Sequence, residues 1–460
     1  MDHIYVPPGY NTSYKSLVTT LYNVNSLLNS NGVIAPSEGS LKHTRLMYEA
    51  IGSPLDRIYT IHIGGTNGKG TTSFKTASCL IASGYTTGLF VSPHLSSFRE
   101  RIQVNGKLVS EEEIVESGTV VCKLCAENKI PATVFEITFI MACYLWQKHN
   151  CDVVVLEVGL GGLLDATNVV QTAISLVCSI SLDHTRILGS TVEEIAQKKA
   201  GIFKEGIPAI IGPSCPFSVM EKVALDIKAQ LYTLNDVTNL MTKEGFGHVL
   251  LPSCSDCDEI VDTDNLNGNL CVATLFLLKR TREFFSRMDM TSENFQRALR
   301  GRPPCRWELC RVVVDVGDSK VEVETILDVA HNPAAVSALV RRIKRDLIGR
   351  DVFILYAVSR DKDVKVCLME ILRATTLDRI FFAQSNSWRS MSASELISLC
   401  SEEVGYQLVN TQVESDVRLS VRNVLKIAAN SSIKSVVVIC GTGFIMPSVR
   451  EEIGIVEPRD

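Results

Sequence analysis

The residues best suited to chemistry form a glycine-rich run, Gly64-Gly65-Thr66-Asn67-Gly68-Lys69-Gly70-Thr71-Thr72. The run follows an apolar stretch at residues 59–63 and precedes a helical pattern that continues to residue 84. Glycines let backbone N–H groups turn toward an anion, and a helix N-terminus adds roughly half a positive charge. Lys69 would supply a point charge near the terminal phosphates, and Thr71 could reach a magnesium ion. The layout predicts a nucleotide-phosphate site and does not indicate which reaction the site serves.

Two further candidates follow apolar, strand-like runs. Glu157 lies near the end of residues 153–158, and His184 comes shortly after residues 174–180. The carboxyl ends of parallel strands open into the crevice where such sheets bind ligands. A carboxylate there suits magnesium, which takes oxygen donors and phosphates, so Glu157 is a candidate metal ligand. A lone histidine such as His184 is more often a hydrogen-bonded structural residue.

A short helix is predicted at residues 192–200, where Ser190 and Glu193 have the spacing of a capping box. Lys198 falls on the polar face of this helix and is expected to be solvated. Lys199 falls on the apolar face, where burial would lower its pKa and leave an amine that carbon dioxide can carbamylate. The alternative is that the Lys199 ammonium group extends to water along an apolar surface.

Short β-branched runs alternate with longer amphipathic stretches, which is typical of an α/β fold with a mainly parallel sheet. The predicted strands are residues 59–63, 87–91, 153–158, 174–180 and 209–211, then 312–316, 325–329, 352–357, 379–383 and 435–440. A helix-like stretch at residues 270–285 and a polar segment at residues 300–308 separate the two series. Because 460 residues exceed one ordinary core, we predict two domains, residues 1–302 and 303–460.

Composition limits the partners and the compartment. The chain has 46 Lys and Arg against 51 Asp and Glu, so neither nucleic acid nor an anionic membrane is expected as a partner. We see no secretory signal, and the apolar runs are too short to span a bilayer. The 15 cysteines include two pairs with a two-residue gap, Cys122/Cys125 and Cys254/Cys257, but no zinc-finger framework. Reduced cysteines and a cytoplasmic location are therefore expected.

Six ordered blocks between about Leu41 and Arg450 carry a family resemblance: GTNGKGTT, SPHLSSFRERIQVNG, FEITFIMACYL, LEVGLGGLLDATN, LDHTRILGSTVEEIAQKKAGIFKEG and LDVAHNP. They resemble the dihydrofolate synthase and folylpolyglutamate synthase family of the muramyl ligase superfamily. The resemblance implies an N-terminal P-loop ATPase domain and a C-terminal Rossmann-like ligase domain. It also implies that ATP phosphorylates a pteroate or folate carboxylate, and that the amine of L-glutamate attacks the resulting acyl phosphate.

The resemblance assigns roles to individual residues by their position in these motifs. ATP contacts are implied for Asn67, Gly68, Lys69, Gly70, Thr71, Thr72, Asn269, Arg306 and Asp328. Two magnesium ions are implied, with ligands among Ser92, Glu157 and His184. Lys199 matches a carbamylated lysine, His331 matches a residue that contacts glutamate, and Lys69 and His184 complete the catalytic set. Substrate contacts are implied for Asp165, Thr167 and Asn168.

Some positions depart from the family pattern. Leu163 stands where an arginine is usual, Thr442 stands where a serine is expected, and Arg302 competes with Arg306 as the arginine that reaches ATP. The blocks FEITFIMA and DATN are more similar to members that add the first glutamate, or to bifunctional members, than to extension-only enzymes. We therefore predict a monomeric enzyme that converts dihydropteroate to dihydrofolate, with folate polyglutamylation as a second activity left open. The alternatives are an extension-only folylpolyglutamate synthase and a regulatory P-loop ATPase.

Overall fold

The computed structural model describes residues 13–28, 36–252, 262–385, 387–404, 416–431 and 434–460. The described chain divides into two compact units. The first unit holds the described residues up to 252, residues 263–301 and residue 460, and the second holds residues 262 and 302–459. Among the described helices, none combines the length and the apolar character needed to cross a bilayer.

The first unit is built on one eight-stranded sheet. Its strands are β1 (Tyr59–Gly64), β2 (Thr87–Phe90), β3 (Ile102–Val104), β4 (Lys107–Leu108), β5 (Val153–Glu157), β6 (Ile174–Val177), β7 (Pro208–Ile211) and β8 (Gln230–Thr233). Their order is β4-β3-β2-β5-β1-β6-β7-β8, and all neighbours pair in parallel except β2 with β3 and β3 with β4. Ile63 pairs with Glu157 and Gly64 with Val177, so β1, β5 and β6 end at one edge of the sheet.

Helices cover both faces of this sheet. They are α1 (Tyr14–Leu28), α2 (Glu38–Ala50), α3 (Lys69–Ala82), α4 (Glu111–Glu127), α5 (Val134–Lys148), α6 (Thr185–Leu188), α7 (Val192–Ala200), α8 (Phe217–Ile227), α9 (Leu234–Lys243), α10 (Thr263–Thr281) and α11 (Glu293–Arg300). Alternate residues of β5 face opposite sides. Val154 and Leu156 pack into a core with α4 and α5, whereas Val153 and Val155 pack into a core with α3 and α10. Burial on both faces explains why β5 is a continuous apolar run.

The second unit has a five-stranded sheet. Its strands are β9 (Arg306–Val316), β10 (Ser319–Asp328), β11 (Asp351–Tyr356), β12 (Ile380–Phe382) and β13 (Ser435–Cys440). Its helices are α12 (Pro333–Asp346), α13 (Val364–Ile371), α14 (Ala393–Val404), α15 (Val417–Ser431) and α16 (Met446–Glu452). The strand order is β12-β11-β13-β10-β9, with β9 antiparallel to β10 and the other pairs parallel. The predicted α/β fold with mainly parallel sheets is therefore confirmed.

The ten predicted strands are all present, but the strands β3, β4 and β8 and the first residues of β9 and β10 were missed. The segment predicted as a polar linker, residues 300–308, contains the start of β9 at Arg306. Charged residues interrupt the apolar pattern there because one face of this antiparallel edge strand is exposed. The turn between β3 and β4 is formed by Asn105 and Gly106, which both have positive φ, as a two-residue hairpin turn requires. The Asn-Gly pair is the sequence signal that could have predicted this hairpin.

The described cysteines are free thiols, and nearly all are buried. Burial raises the pKa of Cys122 to about 11, which suits a packing residue better than a metal ligand. Cys125 is buried in the same helix. The second predicted pair, Cys254 and Cys257, lies outside the described residues.

The helix predicted at residues 192–200 is present as α7, but its predicted cap is wrong by one residue. The capping box is formed by Thr191 and Glu194 rather than by Ser190 and Glu193. Both pairs have the required spacing, so the sequence pattern does not distinguish them. The structure does, because the Glu194 side chain folds back against Gly189, where a Cβ atom would come within 2.5 Å of its carboxylate.

This correction predicts a difference between neighbouring alanine variants. Thr191→Ala removes the hydroxyl that accepts from the Glu194 N–H and should lower the free energy of unfolding by about 1 kcal/mol. Ser190→Ala is the matched control and should have a smaller effect, because the Ser190 hydroxyl contacts only the Glu194 carboxylate, at 3.4 Å. Denaturant unfolding of both variants measures the difference, and an equal or larger loss for Ser190→Ala would contradict the assignment.

Candidate active site

The glycine-rich run forms a loop between β1 and α3. Gly65 and Gly68 have φ of +137° and +86°, which favour glycine. Gly68 precedes the first residue of α3, and no side chain caps this helix, so its first backbone N–H groups are suited to bind an anion. The Lys69 ammonium group donates to the Thr66 carbonyl at 3.2 Å, and Thr71 and Thr72 are buried in the first turn. The predicted phosphate-binding residues are thus brought together.

Two serines after β6, which the sequence analysis missed, hold this loop. The Ser179 hydroxyl accepts from the Asn67 N–H and donates to the Asn67 carbonyl, each at 2.9 Å. The Ser181 N–H donates to the Thr66 hydroxyl, which in turn donates to the Ser181 carbonyl. The parallel pairing of β1 with β6 brings these segments side by side. Polar residues at the end of a predicted strand were the sequence signal for these serines, but this signal does not indicate that they bond to the phosphate loop.

A third missed residue, Asn267 in α10, lies against the phosphate loop. A Cβ atom on Gly68 would be 2.4 Å from the Asn267 side-chain oxygen, and the Thr72 hydroxyl donates to the same oxygen at 3.4 Å. Asn269, which the resemblance assigns to adenine, is buried, and its amide bonds both backbone groups of Leu251 at 2.8 and 3.1 Å. The Asn269 side chain therefore anchors a chain segment, and its contact with adenine stays a prediction.

Glu157 and Ser92, two predicted magnesium ligands, lie together beside α3. The Ser92 N–H donates to the Glu157 carboxylate at 2.9 Å, and this carboxylate is nearly fully buried. A Cβ atom on Gly70 would come within 3.3 Å of Glu157 Oε1, so the carboxylate faces the first turn of the phosphate helix. These hard oxygen donors next to a phosphate site suit Mg²⁺.

The third predicted ligand, His184, directly precedes α6 and has a left-handed backbone, φ 50°. Its N–H donates to the Asp183 carboxylate at 2.8 Å, and its ring Nε2 lies 4.0 Å from the same group. Within the described residues, His, Cys, Asp and Glu side chains form no group of three or more that could hold a metal. A metal here would therefore need phosphate or hydroxyl oxygens in addition to Glu157 and His184.

Arg101 is a positive charge near Glu157 that the sequence analysis did not identify. Burial lowers the pKa of this guanidinium, whereas Glu100 and Glu157 act to raise it. Its Nε donates to His94 Nδ1 at 2.8 Å, and burial together with Arg101 lowers the pKa of His94 to about 3, so the imidazole is neutral. Leu163, the position where an arginine was expected, is half exposed. Arg101 thus supplies positive charge on the Glu157 side of the loop.

The two adjacent lysines of α7 lie in opposite environments, as their helix positions predicted. Lys199 is nearly fully buried, and its ammonium group donates to the Gly65 carbonyl of the phosphate loop at 2.8 Å. Burial, with a smaller contribution from Lys69, lowers the pKa of Lys199 to about 7, although Asp183 and Asp165 oppose this. Lys198 is exposed and donates to the Ile187 carbonyl at 2.8 Å. The predicted burial of Lys199 is confirmed.

The predicted substrate residues 165–168 form a buried, internally bonded turn. Asp165 accepts from the N–H groups of Leu160 and Thr167, and burial raises its pKa. Thr167 has no exposed surface, and its hydroxyl donates to Asp165 and contacts His62 Nε2 at 2.8 Å. The Thr167 side chain therefore holds the turn, and its contact with a substrate stays a prediction.

Asn168 also takes part in holding this turn. Its amide nitrogen donates to the Leu163 and Gly201 carbonyls, each at 3.0 Å, and its side-chain oxygen accepts from Lys204 at 2.8 Å. These bonds tie residues 163–168 to the end of α7, so the turn and Lys199 have a fixed geometry. Substrate contact by Asp165 and Asn168 stays a prediction.

In the second unit, Asp328 ends β10 at the carboxyl edge of the sheet. Its carboxylate accepts from the N–H groups of Trp307 and Ala330, each at 2.9 Å. Burial raises the pKa of Asp328, and the Arg306 guanidinium is the strongest influence that opposes this rise. Arg306 pairs with Asp328 across a bulge in which Trp307 has φ 51°. Of the two candidate arginines, Arg306 is therefore the one beside Asp328.

The loop after Asp328 leads directly into α12. Asn332 caps this helix by accepting from the Ala335 N–H at 3.0 Å, and Pro333 is its first residue, as the sequence predicted. His331 Nδ1 lies 2.8 Å from the Val329 carbonyl, a distance at which a proton on Nδ1 donates to this carbonyl. An acid, an imidazole and a helix N-terminus thus meet at one sheet edge.

Thr442 lies at the same edge, because Asp328 pairs with Cys440 at the end of β13. Its hydroxyl caps the short helical turn that follows, accepting from the Phe444 N–H at 3.3 Å. Gly441 has φ +110°, and a Cβ atom there would be 2.0 Å from the Ala357 carbonyl. A threonine hydroxyl can therefore serve as the cap that a serine would provide.

Comparisons with known proteins agree with this arrangement. Residues 313–443 match the family model described as Mur ligase, glutamate ligase domain. The dihydrofolate synthase/folylpolyglutamate synthase of Buchnera aphidicola subsp. Schizaphis graminum is 31% identical over 303 residues, covering 66% of this chain and 68% of that protein.

Solved structures of similar proteins cover almost the whole chain. E. coli FolC in complex with DHPP and ADP has a TM-score of 0.74 and 25% identity, covering 97% of this chain and 98% of that one. The bifunctional folylpolyglutamate synthase/dihydrofolate synthase from Yersinia pestis, complexed with AMPPNP and Mn ion, has a TM-score of 0.74 and 27% identity, covering 97% and 99%. The chain therefore belongs to the dihydrofolate synthase/folylpolyglutamate synthase family.

Proposed function

We propose that this chain is an ATP-dependent ligase that joins L-glutamate to pteroyl carboxylates, converting dihydropteroate to dihydrofolate and also extending folates. The observation that carries the proposal is the buried Lys199 bonded to the phosphate loop, with Glu157 facing the same loop. A plain nucleotide switch has no evident need for a desolvated lysine there. The names and ligands of the similar proteins, which include ADP, AMPPNP and Mn ion, support nucleotide and divalent-metal binding.

The proposed reaction has two steps. An oxygen of the substrate carboxylate attacks the γ-phosphorus of ATP, ADP leaves, and an acyl phosphate forms. The amine of glutamate then attacks the acyl carbon, phosphate leaves, and the nitrogen loses a proton. Lys69 and the N–H groups of the first turn of α3 would hold the phosphates against their mutual repulsion. Arg101 would add positive charge on the Glu157 side.

The oxygen donors beside this loop fit magnesium. Ser92 and Glu157 would hold one ion against the phosphates, and His184 would contribute to a second. When bound, the metal would neutralise charge that develops on the transferred phosphoryl group.

Lys199 is proposed to act as a carbamate. Its neutral amine would attack carbon dioxide, forming an N–C bond and releasing a proton. The product replaces a buried amine near Lys69 with an anion, which Lys69 would attract, and it adds oxygen donors near the phosphate loop. The low pKa of Lys199, about 7, makes the neutral amine abundant at neutral pH.

The second unit is proposed to bind glutamate and part of ATP. His331, whose Nδ1 lies 2.8 Å from the Val329 carbonyl, is proposed to contact glutamate. The N-terminus of α12 suits a carboxylate, and Asp328 with Arg306 suits the polar groups of a nucleotide. These roles rest on the chemistry of the residues at the carboxyl edge of the sheet.

Alanine substitution of Lys69, with Lys198 as the control, tests the phosphate site. Lys69→Ala should lower glutamate-dependent phosphate release by about a hundredfold or more, because a preorganised cation at the transferred phosphate is lost. Lys198→Ala is the matched control and should retain nearly full activity, since its ammonium group only bonds the Ile187 carbonyl at the surface. Similar losses in both variants would contradict the assignment. Phosphate release that does not depend on glutamate would favour a regulatory ATPase.

Carbamylation of Lys199 predicts a dependence on pH and on bicarbonate. Below its pKa of about 7 the amine becomes protonated and does not react with carbon dioxide, so activity at a fixed concentration of dissolved carbon dioxide should fall as the pH falls toward about 6. Depletion of bicarbonate at about pH 8 should lower the activity. Added bicarbonate should restore activity at about pH 8. In ¹³C NMR, wild-type protein given ¹³C-bicarbonate should show a carbamate signal that Lys199→Arg lacks and Lys198→Arg keeps. A signal that survives in Lys199→Arg would disprove modification at this residue.

A substrate-pair assay tests which carboxylate is used. Purified protein with ATP and L-glutamate should give dihydrofolate from dihydropteroate, and a tetrahydrofolate substrate should gain glutamate residues, both read from product mass. Turnover of tetrahydrofolate with none of dihydropteroate would identify an extension-only enzyme. Turnover of dihydropteroate alone would restrict the activity to the first glutamate.

A further inference from the structure

Lys75 is a buried lysine that the mechanism above does not use. It lies in α3, one turn beyond the phosphate-binding residues, and its side chain has no exposed surface. Its ammonium group donates to the Leu299 carbonyl at 2.7 Å and to the Gly301 carbonyl at 2.9 Å, and it pairs with the Asp264 carboxylate at 3.2 Å. Three acceptors match the three N–H donors of an ammonium group, which is the condition for burying this charge.

The partners of Lys75 belong to two other elements of the first unit. Asp264 is in the first turn of α10, the helix whose Asn267 lies against Gly68 and Thr72 of the phosphate loop. Leu299 and Gly301 are at the C-terminal end of α11, where carbonyl groups lack partners within the helix and favour a cation. Gly301 is also the last residue of the first unit before Arg302 begins the second.

Two contacts support a fixed geometry for residues 299–302, the junction at which the first unit ends and the second begins. A Cβ atom on Gly301 would meet the Phe74 ring of α3 at 3.5 Å, so the junction packs directly on the phosphate helix. The Cys79 thiol, further along α3, contacts the Phe295 carbonyl of α11 at 3.8 Å. The phosphate helix thus contacts α11 along its length, and Lys75 is the charged contact at the junction.

We infer that Lys75 is a positioning residue that couples nucleotide binding at the phosphate loop to the conformation of the junction at residues 299–302. A nucleotide that orders the first turn of α3 and Asn267 would also order the two helices that Lys75 connects. The junction carbonyls would then keep a defined orientation at the point where the chain enters the second unit. The inference rests on the proposed function only in taking the nucleotide to be ATP or ADP.

Hydrogen–deuterium exchange with ADP tests this coupling. In the wild-type chain, ADP should slow exchange in the peptide that spans residues 298–308. Lys75→Met should bind ADP with nearly unchanged affinity but should lose this protection, and its kcat for glutamate-dependent phosphate release should fall about tenfold. Asp264→Asn, which keeps the volume and both carbonyl contacts of Lys75, should show a partial loss and serves if Lys75→Met does not fold.

Lys279→Met is the matched control. Lys279 also donates to two backbone carbonyls, those of Ser286 and Met288, but it lies in the last turn of α10, about 22 Å along that helix from Asp264. This variant should lose thermal stability while keeping the ADP-dependent protection and kcat. The inference is overturned if ADP protects the junction equally in Lys75→Met or in Asp264→Asn, or if it gives no protection in the wild type. A wild-type chain that shows the protection but joins no glutamate would overturn the proposed function instead.

Discussion

The parallel pairing of β1 between β5 and β6 is the constraint on which the first site depends. Because parallel strands end at a common edge, the phosphate loop, Glu157 and the segment from Ser179 to His184 must leave the sheet side by side. The loop is then held by hydroxyl and backbone bonds from Ser179 and Ser181, not by its own sequence alone. Loss of this register would separate all the candidate groups at once.

At this edge of the sheet, burial changes the pKa values of the charged groups more than neighbouring charges do. Desolvation and, to a smaller extent, Lys69 lower the pKa of Lys199 to about 7. Arg101 is a cation near the buried Glu157. In the second unit, burial raises the pKa of Asp328 and Arg306 opposes it. Both edges therefore hold ionisable groups whose protonation depends on their surroundings, which is common where charge must move or be bound.

Local sequence was sufficient where one element determines the feature. The run from Gly64 to Thr72 predicted its own loop and helix, and the 3.6-residue period separated buried Lys199 from exposed Lys198. The period could not choose between two capping boxes one residue apart, because that choice depends on the space beside Gly189. The start of β9 was missed for a similar reason, since exposure of an edge strand removes the apolar signal.

By itself, the sequence determined the α/β class, the phosphate loop, the helix of the buried lysine and the family resemblance, because each depends on residue type and spacing within a short segment. Tertiary structure alone decided which distant residues meet. Asn267 reaches Gly68 from about two hundred residues away, Lys75 reaches Gly301, and Arg101 comes near Glu157. Likewise, only the folded chain shows that the Thr167 hydroxyl contacts His62 of β1. Such contacts follow from strand order and helix packing, which a local pattern does not encode.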